Sequence, residues 1–264
     1  MSHYKKIVIT GASTGLGKQL AMEFAKRDHA EIWLIARSQD KLDAVVGEIA
    51  SWGGIGHAIP CDVTQLDDLE IGCEKIWTES GGVDLVVANA GWSGNMRYPG
   101  EKNWSIARTV VDLNLRGSIL TLEYFAQKMI GEEIKGHLVG VSSVAGFRGL
   151  PKSTVYSATK AGLISYLEAL RISVSAYGIL VTDIRPGFVK TPLTDANHFP
   201  MPFILELEDA GNRMYRAIIN QRKRFTFPKR MAFVGTILRN LPNFLFDWIG
   251  AKAAQPFNKG KFGG

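Results

Sequence analysis

The amino-acid sequence predicts a doubly wound α/β fold, in which helices cover both faces of one parallel sheet. Six short apolar runs rich in Val and Ile recur along the chain, and several of them end in Gly, Ser, Asn or Asp. The intervals between most of these runs span about twenty or more residues and carry helical periodicity, which is typical of parallel strands joined by crossover helices. With 264 residues, 46% of them hydrophobic, the chain is long enough for one large domain with a buried core.

Strands and helices alternate through most of the chain. The predicted strands are KKIVIT, AEIWLIA, GIGHAIPC, VDLVVANA, GHLVGVSS and GILVTDI, and a strand-like run, RFTFP, follows them. The predicted helices are LGKQLAMEFAKR, DKLDAVVGEIAS, DLEIGCEKIWTE, residues 104–129 and residues 154–177. We therefore predict a single α/β domain over residues 1–228, followed by a basic and apolar extension over residues 229–264.

Composition and charge argue against several classes of protein. Two cysteines, Cys61 and Cys73, cannot form a disulfide framework, and the five histidines form no short-spaced metal-binding cluster. The N-terminal MSHYKK has no export pattern, so we expect a cytoplasmic protein without a metal. The formal charge of +6 arises in residues 210–246, which contain eight basic residues and no acidic one. No recognised nucleic-acid module accompanies these charges, and we expect no nucleic-acid partner.

A glycine-rich loop follows the first predicted strand and opens the first helix. It reads TGASTGLG from Thr10 to Gly17. Glycine permits a tight turn and a close approach of the backbone to a pyrophosphate, and a helix N-terminus offers free N–H groups. The loop therefore predicts a dinucleotide site at the carboxyl ends of the strands, with contacts from Gly11, Ser13, Thr14, Gly15, Leu16 and Gly17.

A phenol and an ammonium are spaced four residues apart in VYSATK, at Tyr156 and Lys160. Residues at i and i+4 lie on one face of a helix, so the two groups are neighbours. Pro151, Ser153 and Thr154 predict that the helix begins here and that Tyr156 lies in or near its first turn.

Seven motifs in order make the chain resemble the classical short-chain dehydrogenase/reductase family, from about Lys6 to Thr191. They are the TGASTGLG loop, Asp62-Val63, Asn89-Ala90-Gly91, Asn114, Ser143, the YSATK pair and Arg185-Pro186-Gly187. The resemblance implies a Rossmann-type fold, a nicotinamide cofactor and a catalytic tetrad of Asn114, Ser143, Tyr156 and Lys160. It also implies pairing into a homodimer or homotetramer through the long helices around Asn114 and Tyr156.

The end of the second predicted strand indicates which nicotinamide cofactor is used. An acid there usually holds a free ribose 2′-hydroxyl, whereas a 2′-phosphate is paired by an arginine. Ala36 brings no carboxylate and Arg37 brings a guanidinium, so we predict NADP(H). Ser13, Ser38 and Lys41 are further candidates for phosphate contacts. Many NADP-using relatives have a basic residue inside the glycine loop, where this chain has Thr14.

The pair in VYSATK fits the chemistry of carbonyl reduction. The nicotinamide supplies a hydride, so the protein has to supply the proton. A free phenol has a pKa of about 10, and a neighbouring cation favours the phenolate. We expect Lys160 to lower the pKa of Tyr156 and to hold the nicotinamide ribose. The resemblance implies that Ser143 bonds the substrate oxygen and that Asn114 joins a proton relay with Lys160.

The remaining cofactor contacts are implied by the resemblance. Asp62 would meet the adenine amino group with Val63 beside the ring, and the Asn89-Ala90-Gly91 turn would pass the adenosine ribose. Beyond the sixth strand, the chain would turn under the nicotinamide and bond its carboxamide, through Pro186, Gly187, Val189 and Thr191.

Residues 192–220 have the family position of a substrate loop and its helix. Phe199, Met201, Phe203 and Leu205 there suggest an apolar lid, and we expect a small lipophilic carbonyl or alcohol as substrate. Two rival functions stay open: a 3-oxoacyl-carrier reductase, and a nucleotide-sensing interaction protein without turnover.

The extension has Arg239, Pro242 and Asp247 within its apolar run, which argues against a spanning helix. Membrane-surface contact, a cover over the substrate pocket and an oligomer contact remain its three alternatives, besides ordinary packing against its own protein.

Overall fold

A computed structural model describes residues 4–94, 104–151, 153–195 and 201–253. Within them, seven strands form one parallel sheet in the order β3-β2-β1-β4-β5-β6-β7. The strands are β1 (Lys6–Thr10), β2 (Glu31–Ala36), β3 (Ile55–Pro60), β4 (Leu85–Ala88), β5 (His137–Val141), β6 (Leu180–Pro186) and β7 (Arg224–Phe227). The predicted doubly wound parallel sheet is confirmed, and RFTFP supplies the seventh strand.

Ten α-helices lie in the described ranges. They are α1 (Gly15–Asp28), α2 (Gln39–Ser51), α3 (Leu66–Ser80), α4 (Trp104–Val111), α5 (Gly117–Gly131), α6 (Thr154–Ser173), α7 (Pro192–Asp195), α8 (Leu207–Ile219), α9 (Lys229–Asn240) and α10 (Asn243–Ala253). The three predicted helices that precede β4 are confirmed as α1 to α3. Tyr156 is the third residue of α6, so its predicted place in the first turn is also confirmed.

Two hydrophobic layers cover the sheet because successive strand residues point to opposite faces. On one face Ile7, Ile9 and Leu34 pack with apolar side chains of α1, α2 and α8. On the other face Val8 and Trp33 pack with α3, α5 and α6. Helices on both faces explain why the strand sequences are apolar without alternation.

The region predicted as one helix over residues 104–129 is interrupted in the structure. A π-helical turn, Asp112–Arg116, lies between α4 and α5. It carries Asn114, which is fully buried and bonds both backbone polar groups of Trp92 across the gap to β4. The side chain therefore gives hydrogen-bond partners to the backbone that follows β4, and π-turns of this kind are frequent at functional sites.

The extension is helical and contacts the rest of the domain through the loop after β5. Arg148 of that loop donates from Nη1 to the carbonyl oxygens of Leu238 (3.2 Å) and Leu241 (2.8 Å) at the end of α9. It also donates from Nη2 to Asn243 Oδ1 (2.6 Å) at the start of α10.

None of the helices in the described ranges is both long and apolar enough to cross a membrane. The domain boundary at residue 228 stays a prediction, and residues 254–264 of the extension lie outside the described ranges.

Candidate active site

A cleft of about 860 Å³ lies at the carboxyl ends of the strands. It opens beside β1 and β4, where the strand order reverses and where doubly wound sheets bind ligands. All of the residues predicted to bind cofactor or to act in catalysis line this cleft, except Gly17 and Asn114. Gly17, the last residue of the glycine loop, lies behind Gly11, and Asn114 lies behind Gly91. The structure thus brings distant parts of the sequence to one place.

The glycine loop forms a cradle, and two of its glycines leave no room for a side chain. Gly11 has a φ of +64°, and a Cβ there would stand 2.7 Å from the Cα of Ala90. A Cβ at Gly17 would stand 2.4 Å from the carbonyl oxygen of Gly11. Asn89 fixes the shape of the cradle, because its Nδ2 donates to the carbonyl oxygens of Thr10 (3.0 Å) and Gly11 (3.3 Å).

The N-terminus of α1 is available to an anion. Thr14 precedes the helix without a side-chain cap, and the first turn contains no acidic residue. Helix N–H groups without a capping side chain attract phosphate through hydrogen bonds and the helix dipole. The cradle and this helix end together fit the pyrophosphate of a dinucleotide.

Basic and hydroxyl groups line the cleft beyond β2. Arg37 is exposed there, with Ser38 and Lys41 beside it, and Ala36 brings no acid. Asp62 lines the cleft from the end of β3, and its Oδ1 accepts from the backbone N–H (3.0 Å) and the hydroxyl (2.8 Å) of Thr64. Asp62 therefore also stabilises its own loop.

Lys160 and Tyr156 lie together at the floor of the cleft. The ammonium of Lys160 is 5.8 Å from the centroid of the Tyr156 ring and donates to the carbonyl oxygen of Val141 at 2.8 Å. A Cβ at Gly91 would stand 3.6 Å from Lys160 Nζ and 3.2 Å from Asn114 Oδ1. Both polar groups consequently border one small space, although no direct hydrogen bond joins them.

The two adjacent serines after β5 have different partners. The Ser143 hydroxyl lies close enough to the Tyr156 oxygen to lower the pKa of the phenol. It also donates to the carbonyl oxygen of Pro186 at 3.5 Å and accepts from the backbone N–H of Ala145 at 3.1 Å. The Ser142 hydroxyl donates to Asp183 and to the carbonyl oxygen of Ile184 (3.2 Å). Of the two, only Ser143 therefore touches the phenol.

The pKa of Tyr156 departs from its ordinary value in the direction opposite to the one expected from the sequence. Burial raises this pKa because the phenolate loses its hydration, and the hydrogen bond from Ser143 lowers it only in part. Burial also lowers the pKa of Lys160 to about 8, against the influence of the Asp183 carboxylate, which raises it. The expectation that the pKa of Tyr156 is lowered is wrong for this arrangement, because the effect of burial is larger than that of the Ser143 contact. The phenol is held in its protonated form.

Sequence reasoning missed a buried ion pair beneath the site. Arg185 is 1% exposed, and its Nε (2.6 Å) and Nη2 (2.5 Å) both reach Asp183 Oδ2. The guanidinium also lies 5.2 Å from the ring centroid of Phe147. Two opposite charges at i and i+2 in an otherwise apolar strand, LVTDIRP, were the available signal, since such residues share one face of a sheet.

The predicted apolar lid is only partly described. Phe199 lies outside the described residues, while Phe203 is exposed and its ring lies 5.4 Å from the Arg230 guanidinium carbon. Leu205 forms an isolated parallel bridge with Val189, so this residue ties the substrate loop to the chain after β6.

Comparison with known proteins gives a family and several relatives. The short chain dehydrogenase family matches residues 5–199. An oxidoreductase of Myxococcus xanthus, described as uncharacterized, is 40% identical over 247 residues, which cover 92% of this chain and 95% of that protein. The 3-oxoacyl-acyl-carrier-protein reductase FabG of Staphylococcus aureus is 31% identical over 199 residues, covering 74% and 79%. The alcohol dehydrogenase of Thermococcus sibiricus, solved with 5-hydroxy-NADP, is 25% identical, with a TM-score of 0.75 and coverage of 84% and 95%.

Two glycines near the site offer a steric test of its geometry. A Cβ at Gly146 would stand 2.7 Å from the carbonyl carbon of Lys160, whereas a Cβ at Gly149, in the same loop, meets nothing within 4 Å. Gly146→Ala should therefore push the loop away from α6 and separate Ser143 from Tyr156. We expect a loss of about 1–3 kcal/mol in the free energy of unfolding, together with a lower turnover rate.

The matched control is Gly149→Ala. This variant should match the parent protein both in its free energy of unfolding, measured in urea, and in its turnover rate. Equal behaviour of the two variants would contradict the tight contact between the loop and α6.

Proposed function

This chain belongs to the short chain dehydrogenase family, and we propose that it interconverts a lipophilic ketone or aldehyde and its alcohol with NADP(H). One observation carries the proposal: a partly buried phenol next to the Ser143 hydroxyl lies beside a buried ammonium, at the floor of a cleft whose rim fits a pyrophosphate. A bound nicotinamide supplies or accepts the hydride in this family.

The protein's own groups account for the proton. Tyr156 is held as a neutral phenol, which is the form that can donate to a carbonyl oxygen as that oxygen gains charge. Ser143 bonds the same phenol, so a substrate oxygen placed between them would receive two hydrogen bonds. Lys160 stabilises the phenolate left behind. Asn114 opens onto the same space as Lys160 and is suited to pass a proton on through water.

The arrangement favours reduction over oxidation near neutral pH. Oxidation of an alcohol needs a base, and a phenol whose pKa is raised by burial is a poor source of phenolate. Reduction starts from the protonated form, which the site already holds.

We propose NADP(H) rather than NAD(H) as the cofactor. Arg37 and Lys41 place two cations beside the end of β2, and Ser13 and Ser38 add hydroxyl donors in the same part of the cleft. These groups are suited to a 2′-phosphate, and the relative from Thermococcus sibiricus was solved with an NADP derivative.

A lipophilic substrate is supported by apolar side chains near the turn at Gly187, which lines the cleft. The side chain of Met231 in α9 would lie 3.2 Å from a Cβ at Gly187, and the exposed Phe203 lies against the neighbouring Arg230. A second candidate substrate is a 3-oxoacyl thioester on a carrier protein, which the relative from Staphylococcus aureus favours. Assembly into a homodimer or homotetramer is also proposed, on the family resemblance.

Replacement of the phenol tests the proposed chemistry. Tyr156→Phe removes the proton donor, so kcat for NADPH-dependent reduction should fall by about 10²–10⁴, while the Kd for NADPH changes little. Tyr177→Phe, at an exposed tyrosine after α6, is the matched control and should keep full activity. Retained turnover in Tyr156→Phe would refute the mechanism.

A panel of steroids, fatty aldehydes, aryl ketones and a carrier-linked 3-oxoacyl thioester would also separate the two candidate substrates.

The choice of cofactor has its own test at the end of β2. Arg37→Ala removes a charge-assisted contact to the 2′-phosphate, which is worth about 1.5–3 kcal/mol. We expect the Kd for NADPH, measured by fluorescence titration, to rise roughly tenfold or more, whereas the Kd for NADH stays within about twofold. An equal change for both cofactors would argue against recognition of the phosphate by Arg37.

The pH dependence follows from Lys160. Its pKa is lowered to about 8, so the ammonium is present below that pH and is lost above it. Tyr156 remains protonated across this range because its own pKa is raised. We therefore expect kcat/KM for carbonyl reduction to be level on the acid side and to fall as the pH passes about 8. A pH–rate profile that stays level into strongly alkaline solution would show that the charge on Lys160 is not needed.

A further inference from the structure

The extension presents a concentrated apolar surface. Seven large apolar side chains on α9 and α10 are exposed, and we call this set the outer face: Phe233, Val234, Ile237, Phe244, Leu245, Trp248 and Ile249. Phe233 and Phe244 are each 69% exposed. On each helix these residues follow an i, i+1, i+4 spacing, so they share one side of that helix. Clusters of exposed apolar residues mark sites of interaction, whereas single exposed apolar residues need no explanation.

The opposite side of the two helices is fixed to the domain. A Cβ at Gly235 would stand 2.1 Å from the ring of Phe147, so α9 lies directly on the loop that follows Ser143. Arg148 bonds the end of α9 and the start of α10, and its guanidinium carbon lies 4.3 Å from the ring centroid of Phe246. The helices therefore already have an inner packing face, and the outer face is directed away from the domain.

Positive charge borders the apolar residues. Lys229, Phe233 and Ile237 are spaced four residues apart along α9, so they form one exposed row that begins with a cation. Arg230 is exposed beside this row, and α9 contains no acidic residue. Asp247 is the one acidic residue in the sequence from 229 to 253. The outer face therefore complements a partner surface that has an apolar interior and negative charge at its boundary.

We infer that the outer face is a peripheral membrane-binding surface that docks on bilayers containing anionic phospholipid. Amphipathic helices bury Phe, Leu and Trp at the headgroup boundary, while neighbouring Lys and Arg attract anionic lipid. A second copy of this chain fits less well, because a twofold contact places the same basic surface patch on both partners. The helices lie along the surface in this arrangement, and neither is long enough to cross the bilayer.

The position of the surface connects it with the cleft. Arg230 at the start of α9 stacks on Phe203 of the substrate loop, and Met231 contacts the turn at Gly187. The extension thus contacts both the substrate loop and a turn that lines the cleft, and we place the entry of an apolar substrate from the bilayer on this side. This last step rests on the proposed function, whereas membrane binding itself does not.

Flotation of the full-length protein with vesicles tests the inference without any measurement of turnover. We expect the protein to float with vesicles of phosphatidylcholine and phosphatidylserine, and to float much less with phosphatidylcholine alone. The triple variant Phe233→Ser, Ile237→Ser, Phe244→Ser should lose at least about tenfold in apparent affinity, because three apolar anchors are removed. Lys229→Gln with Arg230→Gln should weaken binding to anionic vesicles only, as should about 1 M salt.

The matched control is Ile55→Ser, Leu66→Ser, Ile71→Ser, which alters three exposed apolar residues elsewhere and should bind vesicles like the parent protein. Circular dichroism melts would establish that each variant is folded, and light scattering would give its mass. Absence of parent-protein flotation, or equal loss in the control, would overturn the inference. A change of mass in the outer-face triple variant would overturn it too, since the face would then be a contact between copies.

Discussion

The burial of the Lys160 ammonium is the constraint on which the site depends. A buried cation is costly unless its N–H groups are satisfied, and Val141 at the end of β5 supplies one carbonyl oxygen for it. Tyr156 is on the same face of α6, so fixing the ammonium against β5 also fixes the phenol. The pairing of sheet and helix thereby sets the position of the proposed proton donor before any substrate binds.

The parts around this pair are positioned by side chains that bond backbone groups. Asn89 and Thr10 join β4 to the glycine loop, and Asn114 joins the π-turn to Trp92. Each of these bonds connects elements far apart in sequence. In each case a side chain provides the hydrogen-bond partner that regular secondary structure does not provide. The result is a rigid edge of the sheet, where the loops have little freedom to shift relative to one another.

Much of this arrangement could be predicted from the sequence because it is encoded locally. Apolar runs indicate strands, the glycine loop indicates its own turn, and the spacing of Tyr156 and Lys160 fixes their common face. The π-turn and the contact of Phe147 with Gly235 could not be predicted in this way, because they depend on distant residues. The Asp183–Arg185 pair has a local signal in its i, i+2 spacing, but the burial of that pair depends on the packing around it. The direction of the Tyr156 pKa was missed for the same reason: charge spacing is visible in a sequence, but the extent of burial is not.

The loop after β5 serves both the site and the extension. Ser143 at its start bonds the phenol, Phe147 lies between Arg185 and α9, and Arg148 holds the junction of α9 and α10. Ser143 and Arg148 are five residues apart, so one short, packed loop contacts both the phenol and the extension. The extension therefore packs on the same loop that carries Ser143, so the surface it presents and the candidate site share one structural support.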